Sequence, residues 1–113
     1  MATERPKNPP EEEGELATRE RVREERPRRY VVVLHNDDYT TMEFVVHVLM
    51  KFFHLGETES VQLMLHVHHK GYAIVGTFTR DVAETKSAQV MAYAKEHGHP
   101  LKCTAEPEGF GES

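Results

Sequence analysis

The chain has 113 residues, with 14 Lys and Arg, 19 Asp and Glu, one Cys and no Trp, a length that suits a single domain. Its net charge of −5 offers no basic surface for the phosphates of nucleic acid or for an anionic membrane. No apolar run approaches the ~18 residues of a membrane span, no apolar secretory signal follows Met1, and the lone Cys103 cannot form an internal disulfide. We therefore expect a cytoplasmic protein that binds neither nucleic acid nor a membrane.

Residues 1–29 differ in composition from the rest of the chain. They hold eight acids, eight bases and four of the six prolines, but none of the nine aromatic residues. Such a segment buries too little apolar surface to offset the entropy that ordering it would cost. We predict a disordered, charged tail over 1–29, a folded domain over 30–107 and a frayed C terminus over 108–113. The net charge of −5 lies entirely downstream of the tail.

The first half of the folded domain predicts a strand followed by a helix. The β-branched and aromatic run over 30–34 indicates a buried strand. Apolar residues then recur at helical spacing over 42–53, which predicts a helix with one apolar face. Thr40 and Glu43 fit a capping box at its start, and Gly56 marks its end.

The second half predicts a helix, a strand, a further helix and a last strand. We place them at about 57–70, at 72–78, from Asp81 to Gly98 and at 101–106. The order β-α-α-β-α-β predicts an α/β (α+β) fold, a small two-layer sandwich with three helices on one face of a three-stranded sheet. If the last two strands are parallel neighbours, their connection is a right-handed crossover.

The junction between the first strand and the first helix carries the first candidate site. Asn36, Asp37 and Asp38 place an amide beside two carboxylates, which are acceptors for a cation or an ammonium group. The same residue types favour turns, because their side chains bond to the nearby backbone. The pattern alone leaves both interpretations open.

The second candidate is a histidine group near the end of the second helix. His66, His68 and His69 could supply two metal ligands, but zinc sites take three or four side chains and no third ligand has recognisable spacing. We expect His66 and His69 to be solvated. His68 shares a helical face with Met64, which indicates a histidine at the edge of the core.

No nucleophile or phosphate-loop motif is present in the sequence. His68 with Asp38 could form an acid–base pair, but no nucleophile accompanies them. The residues therefore favour a small binding domain over an enzyme, with a metal-binding protein and a small hydrolase as the alternatives.

Three blocks identify a family resemblance, namely N-D-D-Y-T-x-M-E-F from Asn36, M-x-x-V-H from Met64 and V-A-E-T-K from Val82. Over residues 29–107 the chain resembles the ClpS adaptors of bacterial Clp proteases. This resemblance implies a fold similar to the C-terminal domain of the ribosomal stalk protein. It also implies an adaptor without enzyme activity, catalytic residues, cofactor or metal.

The resemblance further implies binding of proteins that begin with Leu, Phe, Tyr or Trp, the N-degrons, and their delivery to the ClpA unfoldase of the ClpAP protease. The chain is then expected to be a monomer of the bacterial cytoplasm that contacts the ClpA N-domain. The charged tail would enter the unfoldase during delivery. A regulator that docks on the unfoldase with an occluded pocket is the remaining alternative.

The resemblance also implies roles for individual residues, in three groups. The residues around the substrate's α-amino group would be Asn36, Asp37, Asp38 and His68. The residues of the pocket for the first side chain would be Thr40, Met42, Val45, Met64, Val67 and Leu101. The residues of the ClpA-docking surface would be Asp81, Glu84 and Lys86. Met42 would be the gate that excludes Ile and Val.

Two positions depart from the family pattern. Thr41 stands where many relatives have Pro, which leaves the loop less rigid but still able to cap the helix. His35 replaces a more usual apolar residue, and it either tunes the neighbouring carboxylates or faces solvent.

Overall fold

The computed structural model describes residues 27–111. Most of the predicted tail, residues 1–26, and the last two residues lie outside this part of the chain. The predicted element order is confirmed. The elements are β1 (Tyr30–His35), α1 (Met42–Phe53), α2 (Glu57–Lys70), β2 (Tyr72–Phe78), α3 (Arg80–Glu96) and β3 (Lys102–Pro107). None of the helices in the described part is long and apolar enough to cross a membrane.

The sheet has the order β2-β1-β3, and both pairs are antiparallel. The strands β2 and β3 run parallel to each other but are separated by β1. The condition for a crossover between neighbouring strands is therefore not met. The register of β1 against β2 shifts between Val32 and Val33, where Gly76 and Ile74 are the partners and Val75 is the additional residue. This bulge increases the local twist of the edge strand.

The core lies between the sheet and the helices. Val32 and Leu34 of β1 are fully buried in it, together with Val48 and Leu49 of α1 and Val90 of α3. Because side chains alternate along a strand, Val31, Val33 and His35 point to the opposite face of the sheet. The central strand is thus buried on both faces, as its continuous apolar sequence predicts.

Both predicted boundaries of α1 differ from the structure, and α3 spans Arg80–Glu96 where Asp81 to Gly98 was predicted. The Thr41 side chain, not that of Thr40, caps α1 and accepts from the Phe44 N–H at 3.1 Å. The helix ends before Gly56, because His54 takes the left-handed conformation that terminates it (φ 57°). Gly56 is instead the N-cap residue of α2.

The C-terminal segment packs on the face of the sheet opposite the helices. Residues 108–111 form a turn, and the frayed C terminus predicted over 108–113 stays a prediction. The Phe110 ring lies edge-on to His35 at 6.3 Å and to Tyr72 at 5.3 Å between ring centroids. His35 is half-buried there, with Nε2 at 2.8 Å from the Thr104 hydroxyl. The side chain therefore neither faces open solvent nor lies among the carboxylates of the loop.

Candidate functional site

A cavity of about 370 Å³ lies where the loop between β1 and α1 meets the C-terminal half of α2. Its lining residues are Asn36, Asp37, Asp38, Tyr39, Thr40, Thr41, Met42, Val45, Met64, Val67 and His68. Nine of the ten residues named for the α-amino group and the pocket are brought together here. The tenth, Leu101, is absent from the lining and is 4% exposed within the core. Tyr39 and Thr41 complete the lining and were not predicted to belong to the site.

Gly71 connects the end of α2 to the loop. Its N–H donates to the Val67 carbonyl at 2.8 Å, and its own carbonyl accepts from the Asn36 N–H at 2.9 Å. The residue has φ 93°, a left-handed conformation that glycine adopts without a Cβ clash. The last turn of α2, with His68, is thereby held beside Asn36.

Asp37 holds the loop in shape. One carboxylate oxygen accepts from the backbone N–H of Tyr39 at 2.8 Å and from that of Thr40 at 2.7 Å. The other oxygen accepts from the Thr40 hydroxyl at 2.7 Å. The turn interpretation of the sequence therefore applies to Asp37, because three hydrogen bonds within the loop engage its carboxylate.

The pKa of the Asp37 carboxyl lies below its ordinary value because of these bonds. Partial burial is the largest single influence and raises the pKa, but the Thr40 hydroxyl, the two backbone N–H donors and the charge of His99 together outweigh it. His99 lies far from Asp37 in the sequence, and its ring stacks on Phe44 with centroids 4.0 Å apart. The sequence around Asp37 therefore does not predict the influence of His99 on its pKa.

The rim carries three exposed side chains that can accept hydrogen bonds from an ammonium group, those of Asn36, Asp38 and His68. The prediction that His68 lies at the edge of the core is wrong. The buried face of α2 is formed by Ser60, Met64 and Val67, which turns His68 outwards. An amide oxygen, a carboxylate and an imidazole nitrogen in one place can accept hydrogen bonds from a single cationic donor.

The floor of the cavity is apolar. Val45 of α1 and Met64 and Val67 of α2 are buried beneath it. Met42 opens α1 one turn before Val45 and is 46% exposed at the rim. Because α1 and α2 pack against each other, the apolar residues on their facing sides meet below the loop.

The histidine group does not form a metal centre within residues 27–111, where no cluster of three or more His, Cys, Asp and Glu side chains is placed to hold an ion. The rings of His68 and His69 lie edge-on to each other at 5.5 Å between centroids. His66 lines a different groove, between α2 and β2. The three side chains therefore do not converge on one point.

The three residues predicted for docking lie on the first two turns of α3. Asp81 and Glu84 are exposed, and Glu84 accepts from Arg80 Nε at 3.1 Å. Lys86 is half-buried instead. Its ammonium donates to the Phe52 carbonyl at 3.1 Å and lies over the Phe53 and Phe78 rings at 5.4 and 5.8 Å. A cation at the C terminus of α1 also complements the helix dipole.

Comparison with known proteins gives consistent matches. The sequence model of the family described as ATP-dependent Clp protease adaptor protein ClpS matches residues 25–104. The ATP-dependent Clp protease adapter protein ClpS of Deinococcus radiodurans is 53% identical over 107 residues, 95% of each chain. The protein of that name from Neisseria gonorrhoeae is 58% identical over 80 residues, 71% of this chain and 77% of its own. The structure of Agrobacterium tumefaciens ClpS2 bound to L-phenylalaninamide is similar with a TM-score of 0.72 at 44% identity, covering 74% of this chain and 100% of that chain.

Proposed function

The chain belongs to the ClpS family of ATP-dependent Clp protease adaptor proteins, and from this premise we propose that it binds the N-terminal residue of substrate proteins and delivers them to the ClpA unfoldase. A Clp protease and its substrates are the partners that family membership implies. The finer parts of the proposal are a bulky first residue, the ClpA N-domain as the contact, and a monomeric adaptor in the bacterial cytoplasm.

The observation that carries the proposal is the pairing of polar acceptors with an apolar floor in one cavity. Asn36, Asp38 and His68 lie on the rim above Val45, Met64 and Val67. A free α-ammonium has three donors, whereas a peptide bond within a chain has one. A chain terminus therefore satisfies acceptors that an internal segment would cover without pairing, and polar groups that lose water without gaining a partner are costly.

The apolar floor supports a preference for a large first side chain. Full burial of a Leu, Phe or Met side chain contributes roughly 1.5–3 kcal/mol. Val and Ile are branched at the first side-chain carbon and stiff at χ1, so Met42 at the rim would obstruct them more than Leu or Phe. L-phenylalaninamide, the ligand of the Agrobacterium tumefaciens protein, combines a free α-amino group with an apolar side chain.

Delivery would use the first turns of α3 and the charged tail, most of which lies outside the described residues. Exposed Asp81 and Glu84 are available to a partner surface. The contacts of Lys86 with Phe52, Phe53 and Phe78 support a share for this residue in positioning α3 against α1, beside any contact with ClpA.

A panel of peptides that differ only in their first residue tests the proposed specificity. We expect Phe, Leu, Tyr and Trp to bind, and Ile, Val and Gly to bind weakly, in calorimetric titrations of the full chain. Equal affinity across the panel would refute the role of the apolar floor. Pull-down with purified ClpA N-domain tests delivery, with Asp81→Lys and Glu84→Lys as the disrupting variants and the exposed Lys95→Glu, at the other end of α3, as control.

A further inference from the structure

Tyr39 has a large, exposed side chain on the rim of the cavity, and the proposed binding of the first residue assigns it no role. It lines the cavity, and 80% of its surface is exposed. Single exposed aromatic residues are common on protein surfaces and need no function. This one differs in its position, because it lies at the mouth of a cavity and on a loop held by hydrogen bonds.

The path by which a bound peptide leaves the cavity can be inferred from the residues on the rim. With the ammonium against Asn36, Asp38 and His68 and the first side chain on the apolar floor, the second residue must leave over the rest of the exposed rim. That part consists of Tyr39, Thr41 and Met42. Tyr39 has the largest and most exposed side chain of the three, so it is the surface that the second side chain meets.

Hydrogen bonds within the loop hold the backbone of Tyr39 in place before a ligand binds. Its backbone N–H donates to the Asp37 carboxylate at 2.8 Å, and the next N–H donates to the same oxygen. The backbone is therefore fixed, and contact with a ligand restricts only the two side-chain torsions of the ring. Tyrosines combine a large contact area with a low entropic cost in this way.

We propose that the Tyr39 ring is a platform for the second side chain of the substrate and favours an aromatic residue at that position. This inference rests on the proposed function and adds a second specificity position to it. Offset or edge-on aromatic pairs gain about 0.5–1.5 kcal/mol beyond the area they bury, which corresponds to about a two- to twelvefold gain in affinity.

The test compares three ligands on the full chain by calorimetry. They are a peptide that begins Phe-Tyr, the same peptide beginning Phe-Gly, and L-phenylalaninamide, which has no second residue. The variants are Tyr39→Ala, which removes the ring, Tyr39→Phe, which keeps it, and Met91→Ala, which shortens an exposed apolar side chain on α3.

We expect the wild type to bind the Phe-Tyr peptide about two- to twelvefold more tightly than the Phe-Gly peptide. The ratio should fall to about one in Tyr39→Ala and persist in Tyr39→Phe and Met91→Ala. A ratio of one in the wild type, or a ratio that survives in Tyr39→Ala, overturns the platform. An equal loss of all three ligands in Tyr39→Ala also overturns it, because Tyr39 would then serve the first residue. If the wild type binds none of the ligands, the proposed function itself fails.

Discussion

Replacing Asp37 by alanine tests whether this residue stabilises the loop between β1 and α1. The exposed carboxylate of Asp38 is the charge that we expect a ligand to contact. The substitution removes three hydrogen bonds, two from the backbone N–H groups of Tyr39 and Thr40 and one from the Thr40 hydroxyl. A hydrogen bond contributes about 0.5–1.5 kcal/mol net, so the three sum to roughly 1.5–4.5 kcal/mol. The partly exposed position of Asp37 favours the lower half of that range.

Part of this free energy should appear as lost affinity. Without the carboxylate, a peptide must order the loop as it binds, and each 1.4 kcal/mol of that cost weakens binding about tenfold. Thr40→Val removes only the hydroxyl bond while keeping the shape of the side chain. We expect it to lose about a third of the stability that Asp37→Ala loses.

Asp38→Ala is the matched control, because the same substitution one residue later removes an exposed carboxylate. Its free energy of unfolding should stay within about 0.5 kcal/mol of the wild type, while affinity for L-phenylalaninamide falls. Urea titration followed by circular dichroism gives the stabilities, and calorimetry gives the affinities. If Asp37→Ala is as stable as the wild type, or if Asp38→Ala is the less stable variant, the assignment of Asp37 to the loop is wrong.

Further predictions concern the gate and the response to pH. Met42→Ala should admit Ile- and Val-starting peptides with little change for Phe. Continued exclusion of Ile and Val would contradict the gate, whereas an occluded pocket would bind none of the three peptides. Asp37 has a pKa below its unfolded value of 3.8, so its contribution to stability is present above about pH 4 and is lost as the pH falls through the folded pKa. Acid titration of Asp37→Asn should therefore show a shallower loss of stability below about pH 4 than the wild type does. Burial and the charge of Lys102 lower the pKa of His35 from 6.5, and the charge of Glu106 opposes this shift. The contribution of neutral His35 to stability is therefore present above about pH 6.5 and is lost as the pH falls through the folded pKa. The chemical shifts of Phe110 should report a loosened ring in that range, and their constancy would contradict this contact.

Much of the fold could be predicted because its signals are local. The apolar run over 30–34 specifies a strand buried on both faces, and the helical spacing over 42–53 specifies the face of α1 that packs inwards. The helix boundaries differ by one to three residues, since Thr40 and Thr41 are both able to cap and only the three-dimensional loop selects Thr41.

The side-chain environments were harder to predict because they depend on distant parts of the chain. The buried face of α2 includes Ser60, a small polar residue that an apolar pattern overlooks, so the predicted orientation of His68 was wrong. Phe110 finds its place only once the face of the sheet opposite the helices exists. His99 influences Asp37 across 62 positions of sequence.

The residues of the candidate site were also predicted only in part. Nine predicted residues meet in the cavity, because they lie on one loop and on the facing sides of two packed helices. Leu101 instead joins the core, and Tyr39 joins the rim without any periodicity that would have indicated it.

The most direct test of the central claim is the affinity of one Phe-starting peptide with its α-amino group free or acetylated. Acetylation removes the charge and two of the three donors but keeps every side chain, so it isolates the role of Asn36, Asp38 and His68. We predict that the free peptide binds the full chain and that the acetylated peptide does not bind measurably at the same concentrations. Equal affinity of the two peptides would contradict recognition of a chain terminus.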